Sequence, residues 1–232
     1  VTFDVPGDAA RAVHDRSAAW RFIEGFAAAW AEPLEPQDGW TRRELAEAED
    51  RLGVRVPEAL KEALSLFGKR PDLTSNQDRL LTPAELRLDR DAGGREVLVF
   101  RDENQWVASW GSTTADDDPE VLVKHDLVDK SRERWDPWLP RLSLACVEMV
   151  LSEALFRDGA ETADREMSEA DTSLLREHFA ALPLHSPGTR WFAGHDVIVR
   201  EDDGQWLWAR ARTPEALELL VKQLPGGWAT EY

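Results

Sequence analysis

Val97-Leu98-Val99-Phe100-Arg101-Asp102-Glu103-Asn104-Gln105-Trp106-Val107-Ala108-Ser109-Trp110 decides the fold class. An apolar, β-favouring run, a short acidic turn and a second run carrying tryptophan predict a β-hairpin. Gly93-Gly94 places a turn before it. After it, Asp116-Asp117-Asp118-Pro119 makes a polar break, and Val121-Leu122-Val123 reads as a third strand. Trp135 to Pro140 then leads into a helix from about Ser143 to Phe156. Helices precede this block and a helix follows it. Such segregation predicts an α+β architecture instead of an alternating parallel one.

Working upstream, Val13, Trp20, Ile23, Phe26, Ala27 and Trp30 fall largely on one helical side, so Asp8 to Trp30 reads as one amphipathic helix. Pro33, Pro36 and Gly39 end it in a connector. Thr41 and Glu44 have capping-box spacing, with Trp40 and Leu45 placed as a hydrophobic staple, which predicts a helix from about Arg42 to Leu52. Gly53 stops it, Pro57 opens a second helix through Phe67, and Leu81 to Leu86 repeats the same start signals in a short helix. Downstream of Gly159 an acidic, Ala-rich stretch predicts a helix ending near Leu182. Val197 to Trp208 then repeats the order of apolar strand, acidic turn, Gln-Trp and second strand, and Thr213-Pro214-Glu215 caps a last helix. Antiparallel pairing alone produces such an echo, so no duplication is inferred.

The chain carries 28 Lys and Arg against 45 Asp and Glu, a formal charge of -17. That excess repels phosphate backbones and anionic lipid, so neither nucleic acid nor membrane is expected as a partner. It would attract a basic protein, although charge alone leaves open whether acidity selects a partner or only maintains solubility. The longest apolar stretches fall short of the roughly 20 residues that span a bilayer. Val1 to Arg11 lacks the basic head and apolar run of a signal peptide, so the expected location is the cytoplasm. Cys146 stands alone, which excludes an internal disulfide and fits a reducing compartment. Leu144, Val147 and Val150 share its helical spacing, so it reads as a small core residue.

No motif carries catalysis. The Gly-Gly pairs open no phosphate-binding loop, and in the calcium-loop-like run from Asp89 the position of the bidentate Glu is Phe100. His14, His125, His178, His185 and His195 have no ligand spacing, and Ser109 lacks the leading glycine of a nucleophile elbow. The expectation is a protein that is not an enzyme and uses no cofactor or metal. What stands out is eleven Trp against one Tyr. By strand parity Trp106 and Trp110 share one sheet face, with Asp102 and Glu103 at its end. The candidate protein interface is therefore Asp102, Glu103, Asn104, Gln105, Trp106 and Trp110, with Asp116, Asp117 and Asp118 as further acidic rim.

Two groups of residues resemble the SUKH superfamily, which includes fungal cell-wall assembly regulators and bacterial toxin-immunity proteins. One is Leu45, Glu49, Leu52-Gly53 and Val56-Pro57 before Leu60; the other is Phe100, Glu103-Asn104-Gln105, Trp110-Gly111 and Asp118-Pro119 before Val121. The resemblance covers about Trp40 to Asp158. It departs at Val56, Leu60 and Phe67-Gly68, where Leu, an aromatic residue and Asn-Gly are more usual. It implies a single, mainly antiparallel sheet with helices packed against it and a role in protein binding, with no catalytic residues to transfer. The expected organisation is an N-terminal helix and linker over 1–39, a core over 40–158, and a helix-hairpin-helix extension over 159–232 packed on that core. The implied function is neutralisation of a cognate toxin domain, a nuclease being one option, by occlusion; a regulatory scaffold for a resident cellular protein is the alternative.

Overall fold

The computed structural model describes residues 3–159 and 161–231. Asp4 accepts from the Gly7 N–H and Asp15 from those of Ser17 and Ala18, so two helices form, α1 (Val5–Ala12) and α2 (Arg16–Trp30). The single helix expected from Asp8 is broken because Asp15 caps better than it continues a helix. Arg141 holds the break, its Nη2 donating to the carbonyls of Ala12 and Val13 at 2.6 Å each. Phe22, Ile23 and Phe26 of α2 are fully buried.

α3 (Arg42–Leu52) begins with the expected reciprocal Thr41–Glu44 capping box and ends at Gly53, whose φ of 70° suits glycine. α4 (Glu58–Phe67) starts after Pro57. The Glu49 side chain accepts the Val56 N–H at 2.8 Å, which ties the two helices across the Leu52-Gly53 corner. A single turn, α5 (Pro71–Thr74), follows. At Thr82 the expected cap is present, Thr82 N–H donating to Glu85 Oε2 at 3.0 Å. Only a turn results, since the chain enters a strand at Arg87.

That strand belongs to a first sheet of β1 (Arg79–Leu80), β2 (Arg87–Arg90), β3 (Glu96–Asp102), β4 (Ala108–Ser112), β5 (Val121–His125) and β6 (Asp136–Leu139). Its order is β1-β3-β4-β5-β6, with β2 also paired to β3, and all pairs are antiparallel. Gly111 lies so close to β3 that a Cβ there would sit 2.6 Å from Val97 Cγ1.

α6 (Leu142–Ala154) is buried along its whole length. Asp118 caps its start, accepting from the Ser143 N–H at 2.8 Å and the Ser143 hydroxyl at 2.6 Å. α2, α4 and α5 pack on it, and one apolar cluster joins it to the first sheet and to Trp191, Ala193 and Ile198 from further along the chain.

Those three residues belong to a second antiparallel sheet. Its parts are β7 (Glu161–Glu166), α7 (Asp171–His178), β8 (Ala180–Ala181), β9 (Thr189–Gly194), β10 (Val197–Asp202), β11 (Trp206–Ala211), α8 (Pro214–Gln223) and β12 (Ala229–Glu231), in the strand order β12-β7-β11-β10-β9-β8. The α+β, antiparallel class holds, and the sheet of the central region is joined by this second one. The helix expected from Gly159 towards Leu182 is corrected to a strand followed by a short helix. Glu161–Glu166 is polar because one of its faces is left half-exposed, and pairing with β11 and β12 overrides its weak strand propensity. Strand alternation gives this sheet two apolar faces. Ile198 looks to α6, while Val197, Val199, Leu207 and Ala209 join Leu217 and Leu220 of α8 in a separate cluster. No helix among the described residues is long and apolar enough to cross a membrane.

Candidate functional site

The hairpin turn distributes the candidate interface residues unevenly. Asp102 is 2% exposed; Arg87 grips it through two bonds of 2.9 and 2.6 Å and the Ser109 hydroxyl donates to it at 2.7 Å. Glu103 folds over the turn, accepting from the N–H groups of Gln105 at 2.6 Å and Val107 at 3.2 Å. Asn104 and Gln105 are exposed. Trp106 has φ 65°, a conformation that bulky side chains rarely adopt, and its ring is the most exposed of the eleven tryptophans at 62%.

Trp110 behaves differently. It is half-buried in β4, with Trp138 5.8 Å away and the Arg101 guanidinium 4.6 Å from its ring. The expectation that Trp106 and Trp110 share a sheet face is corrected, because β4 begins only at Ala108 and the left-handed turn removes Trp106 from strand parity. The acidic triplet is also elsewhere. It follows the far end of β4, a strand on the order of 17 Å long, where Asp117 meets Arg55 at 2.9 Å and Asp118 caps α6. Asp116 is exposed there.

The Arg79 guanidinium lies 6.0 Å from the Trp106 ring, and the exposed side chains of the adjoining loops are apolar. Val107 is 48% exposed, Leu127 37% and Val128 fully so, and Asp126 N–H donates to Val107 O at 2.8 Å to hold the two loops together. With Leu219 elsewhere on α8, these are the large exposed apolar side chains of the described residues. The flanking charges are mutually paired: Lys130 bonds both Asp126 and Glu133, and the ammonium beside Asp126 holds that carboxyl below the usual range.

Beneath the hairpin lies a buried cluster that the sequence motifs did not reveal. Arg101, 2% exposed, donates from Nη2 to Asp78 at 3.0 Å and Glu153 at 2.8 Å, and its Nη1 lies 3.5 Å from Glu148. Glu153 also accepts the N–H groups of Asn76, Gln77 and Asp78 at 2.7, 2.7 and 3.2 Å. The cluster continues towards the second sheet: Glu148 accepts from the Ser152 hydroxyl at 2.8 Å, and Arg200 of β10 donates to the same hydroxyl at 3.0 Å. Burial pushes Asp78 up to about 6, with Glu153, Glu103 and Glu148 adding repulsion against the pull of Arg101. Burial likewise raises Glu148. Perturbed carboxyls often mark catalytic centres, yet this group is closed by its own arginine, and no metal-holding group of His, Cys, Asp or Glu exists among the described residues. The legible signal was the presence of Glu148 and Glu153 inside an apolar helix.

Cys146 is 1% exposed, and burial raises its thiol well above the ordinary value, so it is a core residue. No family model, no curated protein and no solved structure matches the chain.

Proposed function

We propose that this chain is an immunity-type protein that binds a basic toxin domain and blocks its working surface, with Trp106 as the central anchor. The observation that carries the reading is Trp106 itself. A large apolar side chain is held outward in a costly backbone conformation by bonds that Glu103 makes to the turn, and Val107 beside it is tied to the loop that exposes Leu127 and Val128. Strain of this kind persists only where the surroundings enforce it, and it concentrates at functional positions. A tryptophan fixed in this way loses little freedom on binding, and burying its ring against a partner supplies the type of contact that dominates interfaces. The charge of -17 favours a cationic partner, and a nuclease, whose substrate groove is basic, is the toxin class that fits it best. The resemblance to the SUKH superfamily points the same way.

The test is rescue. Proteins retained by the native chain at low salt are identified, and the toxin domain among them is expressed with and without this protein. Growth restored by the native chain, but not by a normally folded Trp106→Ala variant, supports the proposal. Retention of a non-toxic resident protein would favour the regulatory scaffold, and rescue by Trp106→Ala would remove the hairpin from the interface.

A further inference from the structure

The end of α2, the chain leaving α6 and the approach from β11 to α8 meet around a recess of about 410 Å³. Arg157, Arg210 and Arg212 all border it, a concentration of cations in a chain whose formal charge is -17. Arg212 is paired, its Nη1 lying 2.8 Å from Asp196 Oδ1. Arg157 and Arg210 are not. Among the described residues neither meets a carboxylate, and both donate to one carbonyl, that of Trp30, at 3.2 and 2.6 Å.

Arg210 carries the argument. It is 6% exposed, and of the buried arginines among the described residues it alone has no ion pair: Arg101 meets Asp78 and Glu153, and Arg165 meets Asp171. Its terminal nitrogens cap α6 and α2 through Ala154 O at 3.0 Å and Trp30 O, while its Nε is buried without an acceptor. Buried donors are nearly always satisfied. Each helix end supplies about half a negative charge, so the two together offset one guanidinium and leave the second. Burial and the charge of Arg157 pull Arg210 down to about 10, and the carboxylate that opposes them, Asp72, is already gripped by Arg70 through two bonds of 2.8 Å. Asp158 and Glu161 stand at the border of the recess, exposed and half-exposed, and bond neither guanidinium. Exposed carboxylates are hydrated and screened, so they leave the buried excess in place. The first turn of α8, at Pro214, adds the positive end of a helix. Two adjacent guanidiniums with N–H groups to spare match a group that has several acceptor oxygens and more than one negative charge, which is a phosphate.

We infer that this recess binds a phosphate group, free or carried on a small molecule, through Arg157 and Arg210. The site is independent of the proposed toxin partner. The test titrates inorganic phosphate into the full chain at neutral pH and constant ionic strength and follows the Nε–H resonance of Arg210, with acetate as a monovalent comparison. Phosphate is expected to shift the resonance saturably, with a Kd of about 1 mM or below, and acetate to bind about ten-fold more weakly or not at all. Arg157→Gln removes one guanidinium and leaves Arg210 with its two carbonyls, so it should weaken phosphate about ten-fold. Because it also removes the charge that repels Arg210, the variant should melt no lower than the parent in phosphate-free buffer. Ribose 5-phosphate separates the sources: tighter binding than inorganic phosphate assigns the recess to a phosphorylated small molecule, equal or weaker binding to free phosphate, and both support the site. A shift that never saturates, acetate binding as tightly as phosphate, or unchanged affinity in Arg157→Gln would each overturn the inference. A lower melting temperature of that variant without phosphate would do so too, since it would make Arg157 a structural cap of α2.

Discussion

At the scale of single residues, Trp106 and Asp78 set opposing demands of stability and role. A tryptophan at φ 65° carries a backbone cost that glycine does not. Trp106→Gly is therefore expected to gain about 1 kcal/mol of stability, read as a higher urea midpoint, while abolishing partner binding; a lower midpoint would show that the ring contributes packing instead of strain. For Asp78 the sign follows from proton counting. Its carboxyl titrates at about 6 when folded against 3.8 as a free group, so between those values the folded state binds more protons and stability falls as pH rises. Asp78→Asn cancels that slope. Relative to the parent, the variant should gain on the order of 2 kcal/mol between pH 4 and pH 7, read from urea unfolding at both. A constant difference would mean that Asp78 is an ordinary carboxylate. Sequence made Trp106 a candidate for an interface, but it could not say that the ring sits in a turn, because parity arguments presuppose a strand that starts only at Ala108. Asp78 was silent, since its environment is made by Arg101, Glu148 and Glu153 from distant segments.

At the scale of elements, what was legible was whatever is locally determined. The Thr41–Glu44 box, the Gly53 stop and the β3–β4 hairpin are dictated by a few adjacent residues, and each forms as expected. β7 depends on a partner far along the chain, β11, and could not be read from local propensity, whereas the α1–α2 break is set locally by the Asp15 cap, a signal hidden within the apolar periodicity from Val13 to Trp30, and is then held by Arg141. α6 lies between these cases. Its apolar run announced a helix, but burial on all sides means its polar residues must be satisfied internally. Glu153 carries the heaviest duty, holding three backbone N–H groups and Arg101. Removing one partner of such a buried pair leaves the other uncompensated, so Glu153→Ala should cost about 3–5 kcal/mol. Ser152→Ala, which loses neutral hydroxyl bonds to Glu148 and Arg200, should cost about 1–3 kcal/mol. Urea unfolding of both variants tests the order; similar costs would show that Glu153 is dispensable to the clamp.

At the scale of the whole molecule, the second sheet is more than an added extension. Trp191 and Ile198 complete the apolar cluster around α6, and Arg200 reaches through Ser152 and Glu148 towards Arg101 of the first sheet. Arg210 adds a further tie, donating to Ala154 O at the end of α6 and to Trp30 O at the end of α2, where a cation is favoured by both helix dipoles. α6 is thus a shared core element, and neither sheet covers it alone. Two physical consequences follow together. Urea unfolding of the intact chain should be one transition, with far-UV circular dichroism and tryptophan fluorescence coinciding, since tryptophans lie in both sheets. A chain ending at Asp158 should expose the α6 face that Trp191 and Ile198 cover, and so bind the dye ANS and lose its sharp transition. The charge bookkeeping makes the second result specific: substituting Arg200→Met in the intact chain keeps apolar cover over α6 but removes the cation near Glu148, so it should lower stability without separating the two probes. If circular dichroism and fluorescence separate in the native chain, or if the chain ending at Asp158 unfolds as sharply as the whole, the sheets are independent units and α6 belongs to the first alone.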